Sequence, residues 1–200
     1  KALSHVPKDQ LAMYGKMSGD SLLNQKGTRL AENVVPPKGP GRKWEIDSAL
    51  KVVDENTGVR NFKRGQELYI AVKCGTCHTM KGEGGSVGPD LTQLGTRFSK
   101  RDMLQAIIEP SEVISDQYES KVFNMKDGTS VLGRLMSENE KAYVISQNPY
   151  APNVTKELAK KDVQDIKRSE VSIMPPGTLN TMSPDEVKDI MAYLMSGGNE

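Results

Sequence analysis

The feature that most constrains this chain is the run Cys74-Gly75-Thr76-Cys77-His78. Its cysteines are the only two among 200 residues, and they stand too close together to link distant parts of a fold as a disulfide would. A histidine, one of two in the chain, follows the second cysteine directly. The run therefore predicts a local chemical site and not a structural cross-link.

The spacing of this run fits the covalent attachment of haem. In a C-x-x-C-H sequence the two thiols add to the vinyl groups of a haem, and the adjacent histidine coordinates its iron. A thioredoxin-like dithiol follows a β-strand, whereas residues 63–73 form an amphipathic helical pattern. A structural zinc ion needs four ligands, and only His5, which we expect to be solvated near the start of the chain, remains as a further donor. We predict one covalently bound haem c, attached through Cys74 and Cys77, with His78 on the iron.

A second axial ligand must come from elsewhere in the chain. A methionine thioether is a soft donor that suits haem iron in an electron carrier. Met174 lies in a proline-stiffened segment, residues 172–177, where a ligand can be held without helical constraint. Met182 directly precedes the expected start of the last helix and could instead pack beneath it. Met174 is the preferred ligand, and Met182 is the alternative.

Local patterns predict helices on both sides of a group of strands. Capping signals at Ser99 and Ser183 predict helices that end near Pro110 and near Gly197-Gly198, and the spacing of apolar residues predicts further helices over residues 46–53 and 63–73. Between them, residues 120–125, 130–135 and 142–146 alternate apolar and polar side chains, as antiparallel strands do. The strands predict a small sheet inserted into a helical protein, which reaches to about residue 171.

Charge and hydropathy exclude two classes of partner. Lys plus Arg number 27 and Asp plus Glu 26, so a net charge of +1 gives no basis for binding nucleic acid. No stretch reaches the roughly 18 apolar residues of a membrane helix. The first residues lack the apolar core of a signal peptide, and we expect a mature or excised chain.

Several motifs occur in the order found in class I cytochromes c, which the chain resembles. They are Gly65 and Tyr69, the Cys74–His78 run, Gly88-Pro89-Asp90-Leu91, Met174-Pro175 and Tyr193-Leu194. Over residues 60–198 the chain more closely resembles the haem-binding domains at the ends of large planctomycete and verrucomicrobial secreted proteins. That resemblance rests on residues 84–91, on Ile107-Ile108-Glu109-Pro110-Ser111 and on Asp127-Gly128.

The resemblance implies roles for further residues. Gly65 would let the first and last helices cross closely, with Tyr69 and Tyr193 packed at the crossing. The carbonyl of Pro89 would accept a hydrogen bond from His78. Haem-lining residues would be Leu91, Leu94 and Phe98, and Arg97 would lie near a haem propionate.

These observations predict a mainly α protein with the cytochrome c fold, in which helices surround one covalent haem. The predicted parts are an N-terminal extension and linker (1–60), a core with the attachment motif (61–117), an inserted β subdomain (118–171), and the methionine loop with the last helix (172–200). The role of the insertion stays open.

We expect a non-enzymatic carrier that exchanges electrons by outer-sphere transfer with a dehydrogenase donor and an oxidase or cytochrome acceptor. Haem attachment in this family takes place outside the cytoplasm, which implies a periplasmic or similar location. Two alternatives remain. If no methionine reaches the iron, a five-coordinate haem could serve a sensor or a peroxide-handling enzyme, and the inserted sheet could itself bind a partner protein or a polysaccharide.

Overall fold

The computed structural model describes residues 34–55 and 59–199. The helices are α1 (Ile46–Asp54), α2 (Phe62–Ala71), α3 (Cys74–Cys77), α4 (Leu94–Arg97), α5 (Lys100–Ile108) and α6 (Pro184–Met195). Strands β1 (Thr79–Met80) and β2 (Glu83–Gly84) form a small hairpin, and the main sheet comprises β3 (Lys121–Met125), β4 (Ser130–Glu138), β5 (Ala142–Ser146), β6 (Thr155–Ala159) and β7 (Val163–Arg168). Within the described ranges, no helix has the length and apolar character needed to cross a membrane.

The prediction of a mainly α fold is wrong. The described residues are 33% helical and 21% strand, and five antiparallel strands form a sheet in the order β6-β5-β4-β3-β7. The two strands with no separate sequence prediction, β6 and β7, lie at the edges of this sheet, where an outer row of backbone groups has no strand partner. Edge strands are commonly polar and charged, so these two lack the apolar alternation that marks a half-buried strand.

The caps of the two best-predicted helices are confirmed. Ser99 accepts a hydrogen bond from the backbone of Asp102 at the start of α5, and Ser183 does the same for Glu186 at the start of α6. In both cases the carboxylate of the third helical residue also accepts a hydrogen bond from the backbone N–H of the cap residue. These motifs are local, which is why the sequence predicts them well.

The crossing of α2 and α6 closes the helical core. A side chain on Gly65 would place its Cβ 2.3 Å from the carbonyl oxygen of Asp189, so the two backbones approach as closely as only glycine allows. Beside this point the rings of Tyr69 and Tyr193 pack with their centroids 5.6 Å apart. The predicted close crossing and its tyrosine pair are confirmed.

Residues 34–45 pack against the start of α6. Trp44 is 2% exposed, and its indole N–H donates to the carbonyl of Met182 at 3.2 Å. The Glu186 carboxylate accepts bonds from the backbone of Lys38 at 2.7 Å and from the Arg64 guanidinium at 2.6 Å. The described part of the predicted extension therefore contributes to the helical core, while the division of the chain into four parts stays a prediction.

The sheet has a hydrophobic cluster of its own. Phe123 and Ile145 are fully buried and Leu158 is 4% exposed, with further apolar side chains of the same face packed around them. The two ends of the inserted segment meet, because the Ser169 N–H donates to the carbonyl of Ser120 at 2.9 Å. The chain thus leaves the helical part and returns to it at nearly the same place.

Candidate haem-attachment site

A sharp reversal of the backbone delivers the two cysteines. Helix α2 ends at Ala71, Lys73 takes a left-handed conformation with φ 63°, and Cys74 then opens the single turn of α3. This separation differs slightly from the expectation that one continuous helix would end at the cysteines. Cys74 and Cys77 lie one turn apart, both are free thiols, and both are partly buried. The two thiols therefore lie side by side on one helical turn.

A loop without regular secondary structure fixes the His78 ring. Its Nδ1 lies 2.9 Å from the carbonyl oxygen of Pro89, the contact implied by the resemblance. Gly88 lies against the same ring, since a Cβ there would come within 2.5 Å of the His78 Cε1. With Nδ1–H donating to Pro89, the neutral ring keeps Nε2 as a free donor for a metal.

Burial sets the protonation state of this histidine. Burial lowers the pKa of His78, and the hydrogen bond to Pro89 opposes that shift in part. The imidazole is therefore held in its neutral form near pH 7, which is the form that coordinates iron.

The glycine-rich loop wraps the attachment run through backbone hydrogen bonds. The N–H of Gly85 donates to the carbonyl of Gly75 at 2.9 Å, and that of Gly88 donates to Cys77 at 2.7 Å. The Thr79 hydroxyl donates to the Gly85 carbonyl at 2.8 Å. The sequence does not predict these contacts. The density of glycines was the signal that could have indicated them.

Helix α2 contacts the same run from the other side. The Tyr69 hydroxyl donates to the carbonyl of His78 at 3.3 Å, and the ring lies next to Gly75. Burial raises the pKa of Tyr69, so the hydroxyl keeps its proton and acts as a donor. The packed tyrosine pair thereby connects the helix crossing to the attachment run.

Both cysteines are thiols, and among the described residues no complete set of metal ligands surrounds them. Burial raises the pKa of Cys74 to about 12 and also raises the pKa of Cys77, so both side chains keep their protons near pH 7. Over residues 34–55 and 59–199, no three His, Cys, Asp or Glu side chains come together as a possible metal site. His5 lies outside the described residues.

The residues predicted to line a haem occupy different degrees of burial. Leu91 is 8% exposed, and Leu94, on α4, packs partly buried against the helical core. Phe98 is 48% exposed, and the guanidinium of Arg97 lies 5.9 Å from the centre of its ring. Their role at a haem stays a prediction.

The two candidate methionines lie in different surroundings. Met182 is fully buried within the helical core, beside Trp44 and Leu179. Met174 is partly exposed at a bend of the chain, and its backbone N–H donates to the hydroxyl of Ser172. The choice between them as a ligand stays a prediction.

The inserted sheet touches the attachment site, which sequence reasoning did not predict. Arg134, on β4, donates to the carbonyl of Val87 at 2.9 Å. The connection between β5 and β6 brings the carbonyl oxygen of Pro149 to 4.0 Å from the Cys77 sulfur. No local pattern could have indicated these contacts, because they join segments 47 and 72 residues apart.

The residues present fit a covalently attached haem. The fit rests on two adjacent free thiols, on a neutral imidazole with one nitrogen fixed by Pro89 and the other unengaged by that bond, and on Gly88, which leaves room for the ring. The donors are too few for a protein-only metal cage but match the single axial nitrogen that a haem iron takes from this side.

Comparison with known proteins agrees with this geometry. No curated protein matches the sequence. The family model described as Cytochrome c matches residues 62–146, from the start of α2 to the end of β5, and so includes the attachment run but neither Met174 nor Met182. The match covers less than half of the chain. Residues 62–146, with the run from Cys74 to His78, are thus similar to a cytochrome c domain, a class of haem-binding electron carriers.

Proposed function

We propose that this chain is a monohaem c-type cytochrome in which Cys74 and Cys77 hold the haem covalently and His78 and Met174 are the axial ligands. The observation that carries the proposal is the fixed orientation of His78, whose Nδ1 donates to Pro89 at 2.9 Å. A bound haem supplies a one-electron couple between ferric and ferrous iron. The fully buried position of Met182 in the helical core supports Met174 as the second ligand.

The protein's own residues would keep the ligand set constant during electron exchange. Pro89 and Gly88 hold the imidazole in one orientation, and the Gly88 N–H ties the loop to Cys77 at 2.7 Å. If His78 and Met174 both held the iron, no position would remain for a substrate, and the haem would supply outer-sphere electron transfer between redox proteins. We propose a dehydrogenase as donor, an oxidase or another cytochrome as acceptor, and an extracytoplasmic location where haem attachment takes place.

Attachment is tested by the intact mass and the pyridine haemochrome spectrum of the purified holoprotein. We expect one haem per chain and the spectrum of a haem with both vinyl groups saturated. A Cys74→Ala, Cys77→Ala double variant that still carries covalent haem would contradict the proposal.

The second ligand is tested with a matched pair of variants. Met174→Leu and Met182→Leu each remove a thioether at nearly constant volume. The ferric protein should show the weak far-red sulfur-to-iron band, which Met174→Leu should lose and Met182→Leu should keep. High-spin ferric haem in the unmodified protein would favour the five-coordinate sensor or peroxide-handling enzyme instead.

A further inference from the structure

One face of the inserted sheet turns toward the attachment site. On β4, Val131 and Leu135 pack with the sheet's own core, whereas Leu132, Arg134 and Met136 alternate onto the other face. Leu132 and Met136 are 47% and 45% exposed, and Arg134 between them is partly buried. The arginine is therefore a polar contact point between two apolar side chains on this face.

Arg134 holds two segments that lie outside the sheet. Its Nη1 donates to the carbonyl of Val87 at 2.9 Å and its Nη2 to the carbonyl of Gln117 at 3.3 Å. Its guanidinium also lies 5.6 Å from the centre of the Tyr118 ring. Arginine suits this geometry because its planar fork can donate in two directions while its face packs on an aromatic ring.

The Val87 carbonyl belongs to the stretch that fixes His78. Val87 is 4% exposed, and the next residue, Gly88, both lies against the imidazole and donates its N–H to Cys77. Pro89 then accepts the bond from His78. The hydrogen bond from Arg134 to Val87 therefore lies one residue before Gly88 and two before Pro89, the residues that orient His78.

A second contact comes from the connection between β5 and β6. The Pro149 carbonyl oxygen lies 4.0 Å from the Cys77 sulfur, and the Tyr150 ring centre lies 5.8 Å from the Lys73 ammonium. A cavity of about 50 Å³ separates the sheet from the site, and its lining includes Val87 and Ile173. Since Ile173 directly precedes Met174, the loop that contacts His78 and the segment that carries Met174 border the same face of the sheet.

We propose that the inserted sheet forms the outer wall of the haem site and that Arg134 is a positioning residue, which holds His78 in place through Val87. This inference rests on the proposed haem function. It gives the insertion a definite role, because the sheet limits the access of water to the attachment edge and stabilises the orientation of the ligand.

The test compares two sheet arginines in the holoprotein. Arg134→Met removes the clamp on Val87. Arg168→Met is the matched control, because Arg168 contacts the same 114–119 segment as Arg134, through Ile114, Asp116 and Glu119, but makes no hydrogen bond to Val87. The measured quantities are the hydrogen-exchange rate of the Gly88 amide and the reduction potential.

For Arg134→Met we expect exchange at Gly88 to rise about tenfold, as the loss of a charge-assisted hydrogen bond predicts, with the potential lowered by greater access of water. Arg134→Lys keeps the charge and one donor, and should give a smaller change of the same sign. Arg168→Met should change neither quantity. If Arg134→Met does not fold, the Arg134→Lys variant decides.

Equal changes in the Arg134 and Arg168 variants, or no change in either, would overturn the proposal. A chain that carries no haem at all would contradict the proposed function instead. In that case the exchange rate of the Gly88 amide still shows whether Arg134 clamps the loop.

Discussion

The helical part and the inserted sheet are built by opposite strategies. The helical core joins distant segments, since Trp44, Leu68 and Ile190 belong to one buried cluster. The sheet is formed by one continuous segment, and its cluster of Phe123, Ile145 and Leu158 needs no residue from outside it. A core assembled over long sequence distances depends on a few hydrogen bonds and ion pairs between distant segments, whereas a contiguous sheet depends on local packing.

Loss of the central ring of the sheet should have the largest effect. Phe123→Ala removes a fully buried ring, which costs about 3–5 kcal/mol of stability. We expect exchange protection to fall in β3–β5 before it falls in α2 and α6, as measured by hydrogen exchange of the holoprotein. Leu132→Ala, at a half-exposed position of the same sheet, is the control. Equal loss of protection in α6 would show that the two parts unfold as one unit.

The buried ion pair should be the corresponding weak point of the helical part. The side chains of Arg64 and Glu186 are 9% and 6% exposed, and breaking such a pair costs about 3 kcal/mol because the buried guanidinium keeps only the more exposed Glu67 as a counter-charge. Glu186→Gln should therefore lower the free energy of unfolding by this amount in denaturant titration. Glu67→Gln is the matched control, since Glu67 pairs with the same arginine at 3.1 Å but is 31% exposed. A comparable loss in both variants would mean that burial does not matter here.

Acid should weaken the same ion pair between Arg64 and Glu186. Burial by itself would raise the pKa of Glu186, but bonds from Lys38, Arg64, Ser183 and Gly39 outweigh it and lower the pKa to about 2. A carboxylate with a depressed pKa stabilises the fold above its unfolded value of 4.5, and this contribution is lost as the pH falls toward 2. The stability difference between the native protein and Glu186→Gln should shrink over that range. A constant difference from pH 5 to pH 2 would argue against the assignment.

The smallest effect is expected at the contact between Trp44 and Met182. Trp44→Phe keeps most of the ring but removes the N–H that donates to Met182 at 3.2 Å, at a cost of about 1 kcal/mol. Thermal unfolding of the holoprotein measures this loss. If the cost approached that of Glu186→Gln, packing of the indole, and not its hydrogen bond, would anchor residues 34–45.

The sequence predicted the elements whose causes are local. Ser99 and Ser183 begin helices because each is followed three residues later by a carboxylate that completes the cap. The alternation of apolar and polar residues predicts strands β3 and β4, and Asp127-Gly128 lies between them in a turn, where Gly128 has φ 86°. The Cys74–His78 run indicated its chemistry without any knowledge of the fold.

Features that depend on distant partners were not predictable in this way. Trp44 follows a segment rich in proline and glycine, and only its contact with Met182, 138 residues away, shows that it lies in the core. In the sequence Arg134 looks like an ordinary strand residue, and only the fold shows its contact with Val87. The preference for Met174 over Met182 came from the flanking prolines, and no local pattern tests it.

The pairing of Arg64 with Glu186, 122 residues apart, has a consequence for the order of folding. The inserted sheet is one continuous segment, so it can fold while the helical part still lacks its closing helix. Until α6 docks, α2 has no partner for the face that carries Gly65. Tyr69, which contacts the attachment run, would therefore gain its partner Tyr193 only in that last step.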